Sequence, residues 1–231
     1  MGIKGFQGTS LLDFPGRLAS LVFWGGCNLT CPFCHNPQLV LDPEQYPDYD
    51  LETLLSDLGN RRPFIDGVVI SGGEPTLDPQ LGDVLGRFKA LGLVVKLDTN
   101  GLAPKVIAEL ADKNLIDYLA IDLKTVPERY PELHGGPVNV DCLLDTVGLS
   151  ATLNIEVEYR TTCVPGWVDE ATIDWWGAKL AGTATWAIQQ FHAEHALDPQ
   201  SRRVEVYSPG RVRQLANLAG RYVTDVIVRG V

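Results

Sequence analysis

The 231-residue sequence lacks several features that define common classes of protein. No apolar run approaches the roughly 20 residues that a membrane-spanning helix needs, and the start of the chain lacks the apolar core of a secretion signal. Positive charge is scarce: 19 Lys and Arg stand against 29 Asp and Glu, a net charge of −10. This balance argues against binding to nucleic-acid phosphates or anionic membranes. We therefore expect a cytoplasmic protein with neither a nucleic-acid nor a membrane partner.

Cysteine is also scarce, and it is unevenly placed. There are five cysteines, an odd number, and Cys27, Cys31 and Cys34 lie in one short segment. In a reducing compartment such a cluster indicates metal binding rather than disulfides. Cys142 and Cys163 are far apart in the sequence and are expected to be packed thiols.

Short apolar runs rich in β-branched residues predict strands. They cover residues 19–24, 66–71, 93–98, 118–123, 154–161 and 185–191, with a further candidate at 223–228. Segments of helical period lie between several of them, and the clearest runs from Leu81 to Leu91 and is followed by Gly92. Strands alternating with helices predict an α/β fold, here a partial, laterally open (β/α)6 barrel. A doubly wound sheet is the alternative. Residues 1–231 are expected to form one domain.

The cysteine loop, residues 25–36, follows the first predicted strand. The spacing Cys27-x3-Cys31-x2-Cys34 lets three thiolates converge on one soft metal centre, and two glycines precede them. A structural zinc ion normally takes four protein ligands, and His35 directly follows Cys34, which makes joint ligation of one ion awkward. A 4Fe-4S cluster held by three cysteines would leave one iron open to a small molecule. This interpretation is favoured, and the alternatives are a zinc site and three cysteines that are buried without any metal.

A second motif follows the second predicted strand. Its sequence, Ser71-Gly-Gly-Glu-Pro-Thr76, lies at the carboxyl end of a strand, where barrel enzymes hold ligands. The two glycines expose backbone polar groups, and Glu74 can accept hydrogen bonds from an ammonium group. Taken alone, the motif is also compatible with a turn followed by a helix.

The cysteine spacing, with an aromatic residue before the third cysteine, resembles the signature of radical SAM enzymes. The resemblance implies a 4Fe-4S cluster on Cys27, Cys31 and Cys34, whose open iron binds S-adenosylmethionine and delivers the electron that cleaves it. It also implies that the cofactor's methionine end is bound by Gly72, Gly73 and Glu74. Phe33 would then lie near the adenine.

Segments after later strands resemble the glycyl-radical activating branch of this family. These are Leu97-Asp-Thr-Asn-Gly101, Ala120-Ile-Asp-Leu-Lys124, Tyr159-Arg160 and His192. By that resemblance Asp98, Thr99 and Asp122 would form a monovalent-cation site, for which oxygen donors are suitable. The same resemblance implies further contacts with the cofactor from Lys124, Arg160 and His192.

The longest matching phrases most resemble the activating proteins of anaerobic ribonucleoside-triphosphate reductases. This implies abstraction of a hydrogen atom from a glycine of a partner enzyme, with a flavodoxin- or ferredoxin-like electron donor. A pyruvate formate-lyase type activase is one alternative, and a radical SAM enzyme acting on a small molecule such as a deazapurine precursor is another. A non-catalytic iron-sulfur or zinc module is the third. The two remaining cysteines are too few for a second cluster.

Overall fold

One eight-stranded sheet organises the part of the chain that the structure describes. The computed structural model describes residues 2–134, 136–180, 182 and 185–231. The strands are β1 (Ile3–Ser10), β2 (Ala19–Trp24), β3 (Gly67–Gly72), β4 (Val94–Thr99), β5 (Tyr118–Asp122), β6 (Glu156–Cys163), β7 (Thr185–Gln190) and β8 (Asp225–Arg229). They stand in the sheet in the order of the sequence.

The strand order decides between the two predicted architectures. Strands β2 to β8 pair in parallel with their neighbours, and β1 is antiparallel to β2. The two edges of the sheet are β1 and β8, so the sheet is not closed. A doubly wound sheet reverses its strand order at a switch point, and this sheet has no such reversal. The partial, open barrel is therefore confirmed, and the doubly wound alternative is wrong.

Helices connect the strands. They are α1 (Pro37–Leu41), α2 (Leu51–Arg61), α3 (Leu81–Ala90), α4 (Pro104–Asp112), α5 (Tyr130–His134), α6 (Asp141–Ser150), α7 (Glu170–Leu180) and α8 (Pro209–Ala219). The predicted amphipathic stretch forms α3, and Gly92 follows it with a φ of 77°. Among the described residues, no helix combines the length and apolar character needed to cross a membrane.

The predicted strands correspond to β2 through β8, with ends shifted by a residue or two. The exception is β1, which lies outside every predicted strand. Gly5, Gln7 and Gly8 interrupt its apolar pattern, so the segment carries neither a buried run nor a clear alternation. It adds to the sheet by pairing with β2.

Two apolar clusters fill the two sides of the sheet, because successive side chains of a strand point to opposite faces. On β4, Val95 and Leu97 belong to the large core that the helices cover. Lys96 and Asp98 alternate with them and therefore face the barrel interior. A small apolar group that includes Phe14 and Tyr118 occupies part of that interior. The rest of the interior is available for polar side chains.

Candidate active site

The cysteine loop is fixed to the sheet by its backbone. Gly26 has a φ of 83°, which favours glycine, and its amide donates to Leu39 at 2.7 Å. The amide of Cys34 donates to the Cys31 carbonyl at 2.9 Å, closing a tight turn. These contacts hold the three cysteines beyond the carboxyl end of β2, on the side of the sheet where the other predicted motifs end.

Burial disfavours the thiolate form of the three cysteines. Burial raises the pKa of Cys27 to about 12 and that of Cys31 to about 11, and it also raises the pKa of Cys34. The positive charge of Lys124 lowers all three values but does not offset the burial. A metal centre bound here therefore has to displace protons from the thiols.

The donor set fits an iron-sulfur cluster better than a single ion. Within the described ranges, no three Cys, His, Asp or Glu side chains converge as ligands of one metal ion do. In a 4Fe-4S cluster each cysteine binds a different iron, so the sulfurs need not meet at one point. The three free thiols and the nearby Lys124 cation suit such an anionic cluster.

Glycines join the second motif to the cysteine loop. Gly72 has a φ of 113°, and a Cβ added to Gly73 would overlap the carbonyl oxygen of Gly26. At this close approach the amide of Gly73 donates to Trp24 and the amide of Glu74 donates to Gly26, each at 2.8 Å. Glycine is therefore required by the packing of the two loops as well as by the backbone conformation.

The Glu74 carboxylate connects the ends of β3 and β4. It is 1% exposed, and its oxygens accept hydrogen bonds from the Thr99 hydroxyl at 2.8 Å and the Asn100 amide at 2.7 Å. The hydroxyl of Thr76 donates to it as well, at 2.5 Å. Burial raises the pKa of Glu74, while these donors lower it. The Glu74 carboxylate therefore lines the cavity and is also held by hydrogen bonds from three protein residues.

A ladder of opposite charges, formed by Lys96, Asp98, Arg160, Asp122 and Lys124, crosses the barrel interior. The Arg160 guanidinium binds Asp98 at 2.9 Å and Asp122 at 2.8 Å. Lys96 also pairs with Asp98, and the Lys124 ammonium lies 3.2 Å from Asp122. Burial opposes the charge of both carboxylates, but the neighbouring cations hold the pKa of Asp98 and Asp122 below the usual range. Burial also lowers the pKa of Lys96, and Asp98 opposes that shift.

Phe33 and His192, the predicted aromatic and histidine contacts of the cofactor, lie in the same part of the structure as the cysteine loop. Phe33 is buried and packs edge-on against Trp167, with 5.6 Å between ring centroids. His192 is exposed beside His35, whose ring stacks on Phe191 at 5.7 Å. Phe33 therefore has a packing role that is independent of any ligand.

One cavity of about 510 Å³ is lined by every residue that the sequence analysis assigns to the site. These are Cys27, Cys31, Phe33, Cys34, Gly72, Gly73, Glu74, Asp98, Thr99, Asp122, Lys124, Arg160 and His192. This volume is in the range of small-molecule and cofactor sites. The structure thus brings together segments that are more than 150 positions apart in the sequence.

Other lining residues were not predicted. The side-chain amide of Asn100 donates to the side-chain oxygen Oδ1 of Asn28 at 2.7 Å and reaches the Cys27 sulfur at 3.9 Å, so it links the end of β4 to the cysteine loop. It belongs to the Leu97–Gly101 segment, in which only Asp98 and Thr99 have a predicted role. Arg229 and Gln190 also line the cavity, and no sequence pattern marks either of them.

The chain is similar in sequence to known proteins. The radical SAM superfamily model matches residues 21–175. A putative glycyl-radical enzyme activating enzyme of Methanocaldococcus jannaschii is 33% identical over 99% of this chain and 96% of its own. A pyruvate formate-lyase-activating enzyme of Staphylococcus aureus is 30% identical over 71% of this chain and 68% of its own. A 7-carboxy-7-deazaguanine synthase of Hyperthermus butylicus is 35% identical over 55% of this chain and 53% of its own.

Solved structures share the fold. Streptococcus suis SuiB superposes with a TM-score of 0.70 at 17% identity, over 91% of this chain and 49% of SuiB. TYW1 superposes with a TM-score of 0.56 at 15% identity, over 88% of this chain and 73% of TYW1. The chain therefore spans about half the length of SuiB, and the likeness at this identity concerns the fold alone.

Proposed function

Since the chain belongs to the radical SAM superfamily, in its glycyl-radical enzyme activating branch, we propose that it activates anaerobic ribonucleoside-triphosphate reductase. One observation supports the radical SAM chemistry of this proposal: the cysteine loop, the Gly72–Gly73 turn and the charged ladder of β4 to β6 line one cavity. The nearly end-to-end similarity to a putative activating enzyme supports the same reaction class. A cytoplasmic location stays a prediction.

The cofactors of this family are a 4Fe-4S cluster and S-adenosylmethionine, and the residues present fit both. Bound there and given one electron, they would supply the radical chemistry that removes a hydrogen atom from the partner's glycine Cα, with methionine and 5′-deoxyadenosine as the other products. In the proposal Cys27, Cys31 and Cys34 hold the cluster. Cys31 is buried, and Cys27 and Cys34 are half-buried at the cavity wall.

The remaining residues hold and orient the second cofactor. Gly72 and Gly73 offer backbone groups without side-chain obstruction, and the cations of Lys124 and Arg160 suit a carboxylate. Glu74 keeps the β3 and β4 ends together through Thr99 and Asn100, which positions that backbone. Phe33 and His192 complete the wall nearer the cavity rim. No protein side chain need act as an acid or base.

The open edge between β1 and β8 suits a protein substrate, because the sheet does not enclose its own interior. We propose that a glycine-bearing loop of the reductase enters there, and that a flavodoxin- or ferredoxin-like protein supplies the electron. A pyruvate formate-lyase type partner is the second candidate, since activating enzymes of that name match 71% of the chain.

An anaerobic assay tests the proposal. The reduced protein is mixed with S-adenosylmethionine and either candidate partner, and EPR is used to detect a glycyl doublet. We expect the doublet with the reductase, and not with a partner whose radical-bearing glycine is replaced by alanine. The matched variants are Cys31→Ala, which should lose the brown colour and the signal, and Cys142→Ala, which should keep both. Turnover of a free deazapurine precursor without any protein partner would refute the assignment.

A further inference from the structure

The monovalent-cation site expected of the activating branch is filled by protein cations. Asp98 binds Lys96 through one carboxylate oxygen and Arg160 through the other. Asp122 binds Arg160 through one oxygen, at 2.8 Å, and Lys124 through the other, at 3.2 Å. Each of the four oxygens that were predicted to hold a metal cation thus has a charged nitrogen as its partner.

The third predicted ligand is engaged elsewhere. Thr99 follows Asp98 directly on β4, so its side chain points to the opposite face of the strand. Its hydroxyl donates to Glu74 at 2.8 Å and accepts from the Gly101 amide at 3.1 Å. The predicted ligands therefore do not form an open cage of oxygens, and the residues present do not fit a bound Na⁺ or K⁺.

Lys96 explains why no such ion is required. Its side chain is 1% exposed, and its position two residues before Asp98 places both on the interior face of β4. Its ammonium also lies 5.8 Å from the Tyr118 ring centroid, a favourable cation–π geometry. The other charged groups that influence it are Glu158 and Arg160 of β6. A buried carboxylate requires a nearby cation, and a lysine fixed by the fold meets that requirement without binding an ion.

We infer that the ammonium group of Lys96 is a built-in cation at Asp98, so that this chain needs no monovalent metal ion there. The inference rests on the proposed function in one respect: a monovalent ion is expected at this site only in the glycyl-radical activating branch. It makes Lys96 a positioning residue, because it acts by holding Asp98, which in turn holds Arg160 at the cavity. The consequence is a site whose geometry does not depend on Na⁺ or K⁺.

Thermal unfolding of the cluster-loaded protein under anaerobic conditions tests the inference, and it does not depend on a measurement of activity. Melting temperatures are compared in choline, sodium and potassium chloride at equal ionic strength. We expect the wild-type midpoint to be the same in all three salts. Lys96→Met should unfold at a lower temperature in choline chloride, and Na⁺ or K⁺ should restore part of the loss because a bound ion stabilises the folded state.

Two controls separate a specific ion from a general salt effect. Lys89→Met removes a more exposed lysine outside the cavity lining, where it pairs with Asp117 at 2.6 Å, and should show no difference between the salts. Lys96→Met/Asp98→Asn removes both charges and should also lose the ion response. A wild-type midpoint that rises with Na⁺ or K⁺ relative to choline would overturn the inference, as would a Lys96→Met protein without any ion response. If Lys96→Met does not fold, the wild-type comparison alone decides.

Discussion

Gly73→Ala is the most direct test of how the two loops form one site. The new methyl group would overlap the Gly26 carbonyl oxygen, which belongs to backbone and cannot rotate away. An ordinary C···O contact needs about 3.3 Å, so one loop has to retreat by about 1 Å or more. That movement breaks the 2.8 Å hydrogen bond from the Glu74 amide to Gly26.

The expected magnitude follows from these two effects. Loss of the hydrogen bond with some backbone strain costs about 1–3 kcal/mol of the free energy of unfolding, which a domain of this size tolerates. The effect on chemistry is larger, because displacing a bound reactant by about 1 Å can lower a rate by about 100-fold. We therefore expect a folded, brown protein that cleaves S-adenosylmethionine about 100-fold more slowly than wild type.

The assay is anaerobic formation of 5′-deoxyadenosine with a chemical reductant, together with iron content and urea unfolding. Gly59→Ala is the matched control, since an added Cβ there meets nothing within 4 Å and the residue lies in α2. It should leave the rate unchanged and stabilise the helix by about 0.5–1 kcal/mol. A Gly73→Ala protein that forms 5′-deoxyadenosine at the wild-type rate would show that the close approach of the two loops is not needed for cofactor cleavage.

Two further predictions concern buried polar groups away from the cysteine loop. Arg229→Leu should lower the free energy of unfolding in urea by about 3 kcal/mol or more, because it leaves the Glu158 carboxylate, 0% exposed, without its ion-pair partner; a loss below about 1 kcal/mol would contradict this. Cys163 is fully buried, and burial raises its pKa to about 12. It should therefore resist alkylation at pH 8 in the native protein and react once the chain is denatured. Mass spectrometry after a short iodoacetamide pulse measures the alkylation of Cys163. Rapid labelling of Cys163 in the native protein would refute this prediction.

The sequence was most informative where a local pattern has one structural meaning. Apolar runs such as 118–123 predicted strands because a parallel sheet covered by helices buries both faces. The cysteine loop and the Ser71–Thr76 motif could be placed together because carboxyl ends of parallel strands share one edge of the sheet. Asp98 and Asp122 were grouped for the same reason, and the cavity contains both.

Contacts across the barrel interior could not be predicted in the same way. The Arg229 side chain reaches Glu158 from a strand 71 positions away, and that distance depends on sheet curvature, which no local pattern encodes. Lys96 was not considered for the site, although alternation along β4 places it on the face of Asp98. The edge strand β1 was also missed, because glycines stand where a strand pattern needs apolar residues.

The distribution of apolar and charged residues separates the stability of this barrel from its chemistry. Most large buried side chains, such as Trp176 and Phe88, belong to the core between helices and sheet, and this burial supplies the main free energy of folding. The interior ladder of Asp98, Arg160 and Asp122 contributes little net stability, because desolvation offsets much of the attraction between buried charges. What the ladder provides is fixed charge at set positions, which needs no reorganisation when an anionic cluster and a zwitterionic cofactor bind. A single substitution in the ladder should therefore lower cofactor affinity and also lower stability, because it leaves a buried charge without its partner.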